Sequence, residues 1–170
     1  MTIELRTREA LSRELANAIE DMLPDRAETV LVAGLGNRNV TPDALGPRTA
    51  ERILVTRHME GCLPEDVSER MRHVCALSPG VLGVTGVETA ELALGLTERL
   101  KPAAVLVIDA LAAMDPSRID ATIQLTDTGI HPGSGVGNHR AGIPSETLHV
   151  PVIAVGIPMV VSASSIVPRR

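Results

Sequence analysis

The alternation of short apolar runs with segments of helical periodicity is the feature that most constrains the fold. The apolar runs are rich in valine, leucine and isoleucine, and this composition is typical of buried strands. The segments between them place apolar residues three or four positions apart, as on one face of a helix. Strands are predicted at 29–33, 74–77, 104–108, 121–125 and 152–155, with a weaker one at 159–162, and helices at 8–23, 43–55 and 87–100.

Strands that alternate with helices build a mostly parallel sheet with helices on both faces. The predicted fold class is therefore α/β, with three layers in the order α/β/α. Residues 63–72 are polar and are predicted to form a helical connection, and Pro47 fits the helix at 43–55 only in its first turn. With 170 residues and no internal repeat, the chain is expected to form a single domain over residues 1–170.

The composition excludes several classes of function. Phe, Tyr and Trp are absent, which argues against base stacking and excludes an aromatic-lined pocket. The net charge is −5 and no basic cluster precedes Arg169 and Arg170, so no nucleic-acid partner is expected. No apolar run approaches the roughly 20 residues of a membrane helix, and no signal peptide is recognisable. A cytoplasmic protein without a membrane partner is therefore expected.

The cysteines and histidines form no recognisable metal-binding motif. Cys62 and Cys75 are too far apart for a CxxC motif; they are interpreted as reduced thiols, with a disulfide or a metal pair as alternatives. His131 and His139 flank a glycine-rich loop and could ligate a metal, although loop histidines are the simpler interpretation. Neither a metal nor a cofactor is therefore predicted.

Polar residues follow three predicted strands, at the sheet edge where open α/β sheets bind ligands. Asn37, Thr41 and Asp43 follow the first strand, and Asp109 comes directly after the run at 104–108. Taken alone, Asp43 is readily explained as a helix cap, and Asp109 as a turn at a strand end. If the two carboxyl groups converge, one can be ionised while the other holds a proton. Such a pair could act as base and acid in hydrolysis.

The third polar segment is a glycine-rich loop after the strand at 121–125. Its backbone N–H groups could bind an anion or an oxyanion, and the alternative is a flexible surface loop. It lacks the lysine of a phosphate-binding loop, and Ser134 lacks the strand–turn–helix context of a nucleophile. The candidate binding residues of this loop are Gly133, Ser134, Gly135 and Asn138.

Several motifs resemble the germination proteases, also called spore proteases or GPR-type endopeptidases, of endospore-forming bacteria. The resemblance runs in one order from about residue 29 to residue 154, and its longest motifs are specific. They are Gly-Leu-Gly-Asn at 34–37, Val-Thr-Pro-Asp-Ala-Leu-Gly-Pro at 40–47, Val-Thr-Arg-His at 55–58, Pro-Gly-Val-Leu-Gly at 79–83, Thr-Gly-Val-Glu-Thr at 85–89, Ile-Asp-Ala-Leu-Ala at 108–112, Thr-Ile-Gln at 122–124, the loop at 127–138 and Pro-Val-Ile-Ala at 151–154.

The resemblance implies an atypical aspartic endopeptidase that hydrolyses small acid-soluble spore proteins during germination. By motif, the two functionally important aspartates of the family fall on Asp43 and Asp109. The family is made as a tetrameric zymogen, so a homo-oligomer in the spore core is implied. The implied fold is similar to that of the hydrogenase maturation endopeptidases. Family members are longer, so the propeptide region and the C-terminal region are expected to be absent.

This sequence also departs from the family pattern. Arg38 replaces a usual tryptophan, Met114 a usual arginine, and the absence of aromatic residues is general. Two alternative functions therefore stay open. One is a maturation endopeptidase that recognises a metal such as nickel. The other is a catalytically inactive or engineered scaffold of the same fold.

Overall fold

The structure is a computed structural model that describes residues 2–4, 8–24, 29–68, 70–130, 143 and 145–161. Six strands and six helices alternate over most of this length. Short 3-10 turns lie at Thr41–Asp43, Arg57–Met59 and Pro116–Arg118. The elements in chain order are β1 (Thr2–Glu4), α1 (Arg8–Met22), β2 (Thr29–Gly34), α2 (Leu45–Ala50), α3 (Glu65–Ser68), β3 (His73–Leu77), α4 (Leu82–Thr85), α5 (Thr89–Leu100), β4 (Ala104–Ala113), β5 (Thr122–Thr126), α6 (Ser145–Leu148) and β6 (Val152–Val161).

The strands form one sheet in the order β1-β5-β6-β4-β2-β3. The pairings β2–β3, β2–β4 and β4–β6 are parallel, whereas β5 pairs antiparallel with both β1 and β6. The predicted mostly parallel sheet is therefore confirmed. Because β2, β3, β4 and β6 run the same way, their carboxyl ends lie at one edge, called here the carboxyl edge.

Helices cover both faces of the sheet, as the alternating pattern predicted. On one face, α1 and α2 pack through Ala18, Leu15 and Leu45 against a cluster that includes Val32 and Ile123. The opposite face carries α5 and α6, and its cluster consists of Leu31, Ala33, Leu35, Ala90, Ala93, Val105, Val107, Ile143, Leu148 and Val152. Leucine, isoleucine, valine and alanine fill both layers, so the chain builds its core without aromatic rings. No helix among the described residues is long and apolar enough to cross a membrane.

Two predicted strands are too short. β4 continues five residues past the predicted end at 108. β6 runs without a break from Val152 to Val161, where two strands were predicted at 152–155 and 159–162; residue 162 lies outside the described residues. Pro158 lies within β6, although proline cannot donate a ladder hydrogen bond. The structure accommodates it beside a register shift of the β4–β6 ladder, between Leu111 and Ala112. Irregular ladder positions of this kind tolerate proline.

The predicted helix at 43–55 is wrong in its bounds. Thr41–Asp43 forms a 3-10 turn, and α2 covers Leu45–Ala50 alone. Pro47 is the third residue of α2 and so lies in the first turn, where proline was expected to be tolerated. The polar connection at 63–72 is helical over Glu65–Ser68. The strand β1 and the short helices α4 and α6 were not predicted from the sequence.

Candidate active site

A tight turn at the carboxyl end of β2 positions Asp43. Gly36 has a φ of +114°, a conformation that residues with a side chain rarely adopt. The backbone N–H of Asn37 then donates to Oδ2 of Asp43 at 2.7 Å. The N–H of Asp43 in turn donates to the carbonyl of Val40 at 2.8 Å. The carboxylate is thus held across the mouth of the turn, half-exposed to solvent.

Asp43 does not cap the helix that follows it. The N-cap of α2 is Ala44, and no side chain accepts a hydrogen bond from the first turn of that helix. The helix-cap interpretation of Asp43 is therefore wrong. Its described hydrogen bond ties it to the preceding glycine turn instead.

Asp109 lies inside β4 rather than after it, which corrects the expectation of a strand end. The pairing of β2 with β4 stops at Gly34 and Ile108, so Asp109 is the first residue of β4 beyond the end of β2. From this position onward β4 pairs with β6 alone, starting at Gly156. Asp109 is 5% exposed, and its Oδ1 accepts a hydrogen bond from the N–H of Ala110 at 2.8 Å.

Close backbone packing brings the turn of Asp43 onto the strand of Asp109. The N–H of Leu35 donates to the carbonyl of Ile108 at 2.8 Å, which extends the β2–β4 pairing by one bond. A methyl group on Gly46 would collide with the backbone of Leu35 and would lie 2.5 Å from the carbonyl oxygen of Ile108. The start of α2 therefore rests on the residue directly before Asp109, and glycine is required there.

A second glycine contact lies beside Asp109 and is filled by a leucine side chain. Gly156 is the β6 partner of Asp109, and a methyl group on it would run into the side chain of Leu111. Because side chains alternate along a strand, Leu111 points to the same face as Asp109. The side chain of Leu111 therefore lies over Gly156, on the face of the sheet to which Asp109 points.

The remaining candidate residues are only partly described. Asn37 contributes its backbone N–H to Asp43, and its side-chain oxygen accepts from the N–H of Asn39 at 3.0 Å. Thr41 is exposed at the start of the 3-10 turn. Arg38, in place of a tryptophan, forms an exposed ion pair with Glu51. Four candidate loop residues and two histidines lie outside the described residues, namely Gly133, Ser134, Gly135, Asn138, His131 and His139.

Within the described part of the chain, no cluster of three or more His, Cys, Asp or Glu side chains is arranged to hold a metal ion. Two exposed residues just after the end of β4 carry other chemistry. Hydrogen bonds from the backbone and side chain of Ser117 lower the pKa of the exposed Asp115 carboxyl group, which follows β4. Met114, directly before it, is 91% exposed.

The sequence interpretation missed the glycines that pack the start of α2 against β2 and β4. Gly34 lies against the carbonyl of Gly46, and a methyl group at position 34 would be 2.9 Å from Cβ of Ala50. The signal that could have found this contact is the pair of glycines at the end of a strand and at the second position of the next helix. Such a pair permits close helix–strand packing.

Comparison with known proteins identifies the family of this sequence. A family model described as germination protease, Peptidase_A25, matches residues 1–169. A germination protease of Geobacillus sp. strain WCH70 is 56% identical over 151 residues, which are 88% of this chain and 41% of the relative. One from Halalkalibacterium halodurans is 59% identical over 138 residues, 81% of this chain and 37% of the relative.

Among solved structures, the NiFe hydrogenase maturation protease HycI from Thermococcus kodakarensis is similar, with a TM-score of 0.49 and 17% identity. The similarity covers 87% of this chain and 88% of that one. The alignments with the two germination proteases span about two fifths of the length of those proteins. Since the family model matches nearly every residue, this chain belongs to the germination protease family.

Proposed function

We propose that this chain is the core of an atypical aspartic endopeptidase in which Asp43 and Asp109 form an acid–base pair. The observation that carries the proposal is the packing of Gly46 on the carbonyl of Ile108, which lays the turn of Asp43 against the position next to Asp109. Membership of a protease family supports peptide hydrolysis as the reaction.

The surroundings of the two carboxyl groups support different roles. Asp43 is half-exposed and held by a backbone N–H, so a water molecule can reach it, and we assign it the role of general base. Asp109 is 5% exposed. Burial favours the neutral form of a carboxyl group, so we assign it the role of general acid.

In the proposed reaction, Asp43 takes a proton from water as the water oxygen attacks the peptide carbonyl carbon. The C–N bond then breaks, and the leaving nitrogen takes a proton from Asp109. Exchange with solvent returns a proton to Asp109 and removes one from Asp43. Asn37 and Thr41 are proposed to orient the substrate, and the loop N–H groups to bind the oxyanion, with Gly133, Ser134, Gly135 and Asn138 as the loop residues.

The proposed substrates are small acid-soluble spore proteins, which are cleaved during germination in the cytoplasm of the spore core. The chain is proposed to act as a homo-oligomer. The family membership and the motifs around Asp43 and Asp109 support this assignment. Because the chain aligns with only 41% and 37% of two relatives, activity of the 170-residue chain alone is part of the proposal.

The test is cleavage of a purified small acid-soluble spore protein, followed by mass spectrometry. Asp43→Asn and Asp109→Asn should each lower kcat/KM by about 100- to 10,000-fold, the usual contribution of a general acid or base. Asp115→Asn is the matched control, since Asp115 is an exposed carboxyl group just after β4, and it should leave cleavage unchanged.

Far-UV circular dichroism of each variant would separate loss of chemistry from loss of fold. Full cleavage by either the Asp43 or the Asp109 variant would contradict the acid–base pair. Absence of cleavage by the unaltered chain would overturn the proposed activity and favour an inactive scaffold.

A further inference from the structure

The outermost strand on one side of the sheet is β3. It pairs with β2 along its inner edge and has no strand on its outer side among the described residues. In a strand, the N–H and C=O groups of alternate residues point to opposite edges. The backbone N–H and C=O of Val74 point to the outer edge, since both groups bond to Thr56 rather than to β2. Ala76, two residues on, therefore points outward as well.

Thr56 covers the first half of this outer edge. Its N–H donates to the carbonyl of Val74 at 2.9 Å, and its hydroxyl oxygen accepts from the N–H of Val74 at 2.8 Å. The same hydroxyl donates to the carbonyl of Arg72 at 2.6 Å. The buried Thr56 thus occupies the outward hydrogen-bonding groups from Arg72 to Val74, and an added strand cannot pair with them.

The second half of the outer edge is open. The outward N–H and C=O of Ala76 have no hydrogen-bond partner among the described residues, and the residue is half-exposed. Such an edge is a template for pairing with another extended chain. From Ala76 the strand runs directly into the carboxyl edge, where Asp43 and Asp109 lie.

We propose that the open edge of β3 at Ala76 binds the substrate as an added strand and presents the adjoining peptide to Asp43 and Asp109. The inference rests on the proposed endopeptidase function and identifies how that function recognises an extended peptide. Added strands gain affinity from main-chain hydrogen bonds and specificity from contacts with alternate side chains.

The side chains around this edge favour a peptide with an acidic residue. Arg57 is exposed in the 3-10 turn Arg57–Met59 beside β3, and its charge acts on the thiol of Cys75. No ion pair with a described carboxylate is found for Arg57, whereas His73 faces Glu60 at 4.0 Å. His58 is exposed on the same turn and offers a hydrogen-bonding side chain. The segment after β3 exposes Leu82, Val84 and Val87, which suit apolar side chains of the peptide.

The geometry sets the spacing between the bound strand and the cleaved bond. Neighbouring strands lie about 4.8 Å apart, so an added strand would be about 14 Å from β4, across β3 and β2. An extended chain advances about 3.3 Å per residue. Roughly four residues therefore separate the segment paired with Ala76 from the bond placed between the two aspartates.

The direct test is amide hydrogen exchange of the chain, measured by NMR while overlapping 12-residue peptides that tile a small acid-soluble spore protein are added. Binding should slow exchange at Ala76 by about tenfold or more at saturation, because its N–H gains a strand partner. Cys75, whose N–H faces β2, is the internal control and should not change. Unchanged exchange at Ala76 with a peptide that binds would overturn the proposal.

A second measurement uses the bound peptide itself. N-methylation of the peptide nitrogen that faces Ala76 should weaken binding by about fivefold to tenfold, the usual effect of one hydrogen bond, whereas methylation of the next nitrogen should not. Arg57→Gln should weaken the binding of an acidic peptide but not of the same peptide with the acid replaced by its amide. Arg57→Lys should restore the binding of the acidic peptide. Arg52→Gln, also exposed, is the charge-matched control.

Binding is scored with the Asp43→Asn variant, so the result does not depend on cleavage. Cleavage that needs both aspartates but is insensitive to N-methylation and to Arg57 would overturn strand addition while keeping the proposed function. Alternating sensitivity to N-methylation without any cleavage would support strand addition and overturn the enzyme. Protection of Ala76 in the peptide-free chain, together with a dimer in light scattering, would assign the edge to a second copy and overturn the inference.

Discussion

At the scale of single residues, Gly36 holds the candidate base in place through two constraints at once. Its φ of +114° is unfavourable for other residues, and a methyl group there would collide with the carbonyl oxygen of Asp43. Gly61 shares a positive φ of +74°, but nothing lies within 4 Å of its missing side chain. A substitution at Gly61 therefore tests backbone strain alone, whereas one at Gly36 tests strain together with a steric collision.

Gly36→Ala should destabilise the chain by about 2–4 kcal/mol, and Gly61→Ala by about 1 kcal/mol, which is the order of the strain of a left-handed residue alone. Urea unfolding followed by far-UV circular dichroism measures both, since the chain has no aromatic residue for fluorescence. Equal losses for the two variants would show that the contact between Gly36 and Asp43 does not matter.

The cysteines give a pH-dependent prediction at the same scale. Burial raises the pKa of the Cys75 thiol, an effect that the charge of Arg57 only partly offsets, while Cys62 is exposed. Because the thiolate is the reactive form, iodoacetamide at pH 8 should label Cys62 faster than Cys75, as measured by mass spectrometry. Unfolding in urea should remove the difference.

The sign of the linked stability change follows from the same shift. The folded pKa of Cys75 lies above the ordinary value of 9.0, so only the unfolded chain releases this proton when the pH first passes that value. The stability that the protonated Cys75 thiol contributes is therefore fully present below about pH 9. The free energy of unfolding falls as the pH rises toward the folded pKa. Cys75→Ala should flatten this part of the pH profile.

At the scale of elements, Thr56 completes β3 although it belongs to no strand. Its hydroxyl is buried, accepts from Val74 and donates to Arg72. Thr56→Val keeps the shape but leaves both groups without a partner, so a loss of about 1–3 kcal/mol is expected. Thr56→Ser keeps the hydroxyl and should cost less. Faster amide exchange at Val74 in the valine variant alone is the measurement, and equal exchange in both variants would contradict this role.

The strands and helices were predictable where one pattern governs a segment. β2, β3 and α5 are found within two residues of their predicted bounds because a buried strand or an amphipathic helix has a period of its own. The predictions failed where a contact with another part of the chain sets the bounds of an element. β4 continues past Asp109 because β6 pairs with it there, and the turn Thr41–Asp43 leaves the helical path because Gly36 and Asn37 hold Asp43.

The candidate site shows the same division. Asp43 and Asp109 stand out in the sequence because each follows an apolar run. The approach of the two carboxyl groups that we propose depends on Gly46 packing against Ile108, a contact between residues 62 positions apart that no local pattern encodes. The open edge at Ala76 could not be predicted from the sequence either, since it depends on how far Thr56 reaches along β3.

At the scale of the whole molecule, one sheet separates two apolar layers and should couple them into a single folding unit. Ile143 is fully buried in the layer with α5, and Ile123 is 4% exposed in the layer with α1. Each isoleucine packs against a different face, and both layers share strands β2 and β4. Such a chain is expected to unfold in one cooperative transition.

Ile143→Val and Ile123→Val should each lower the free energy of unfolding by about 0.5–1.5 kcal/mol. The double variant should lose the sum of the two within about 0.5 kcal/mol, because the two side chains are in different clusters and share no packing partner. Urea titration by circular dichroism should show one transition in all variants. Two separate transitions in the double variant would mean that the layers unfold independently, and that the sheet does not transmit stability between them.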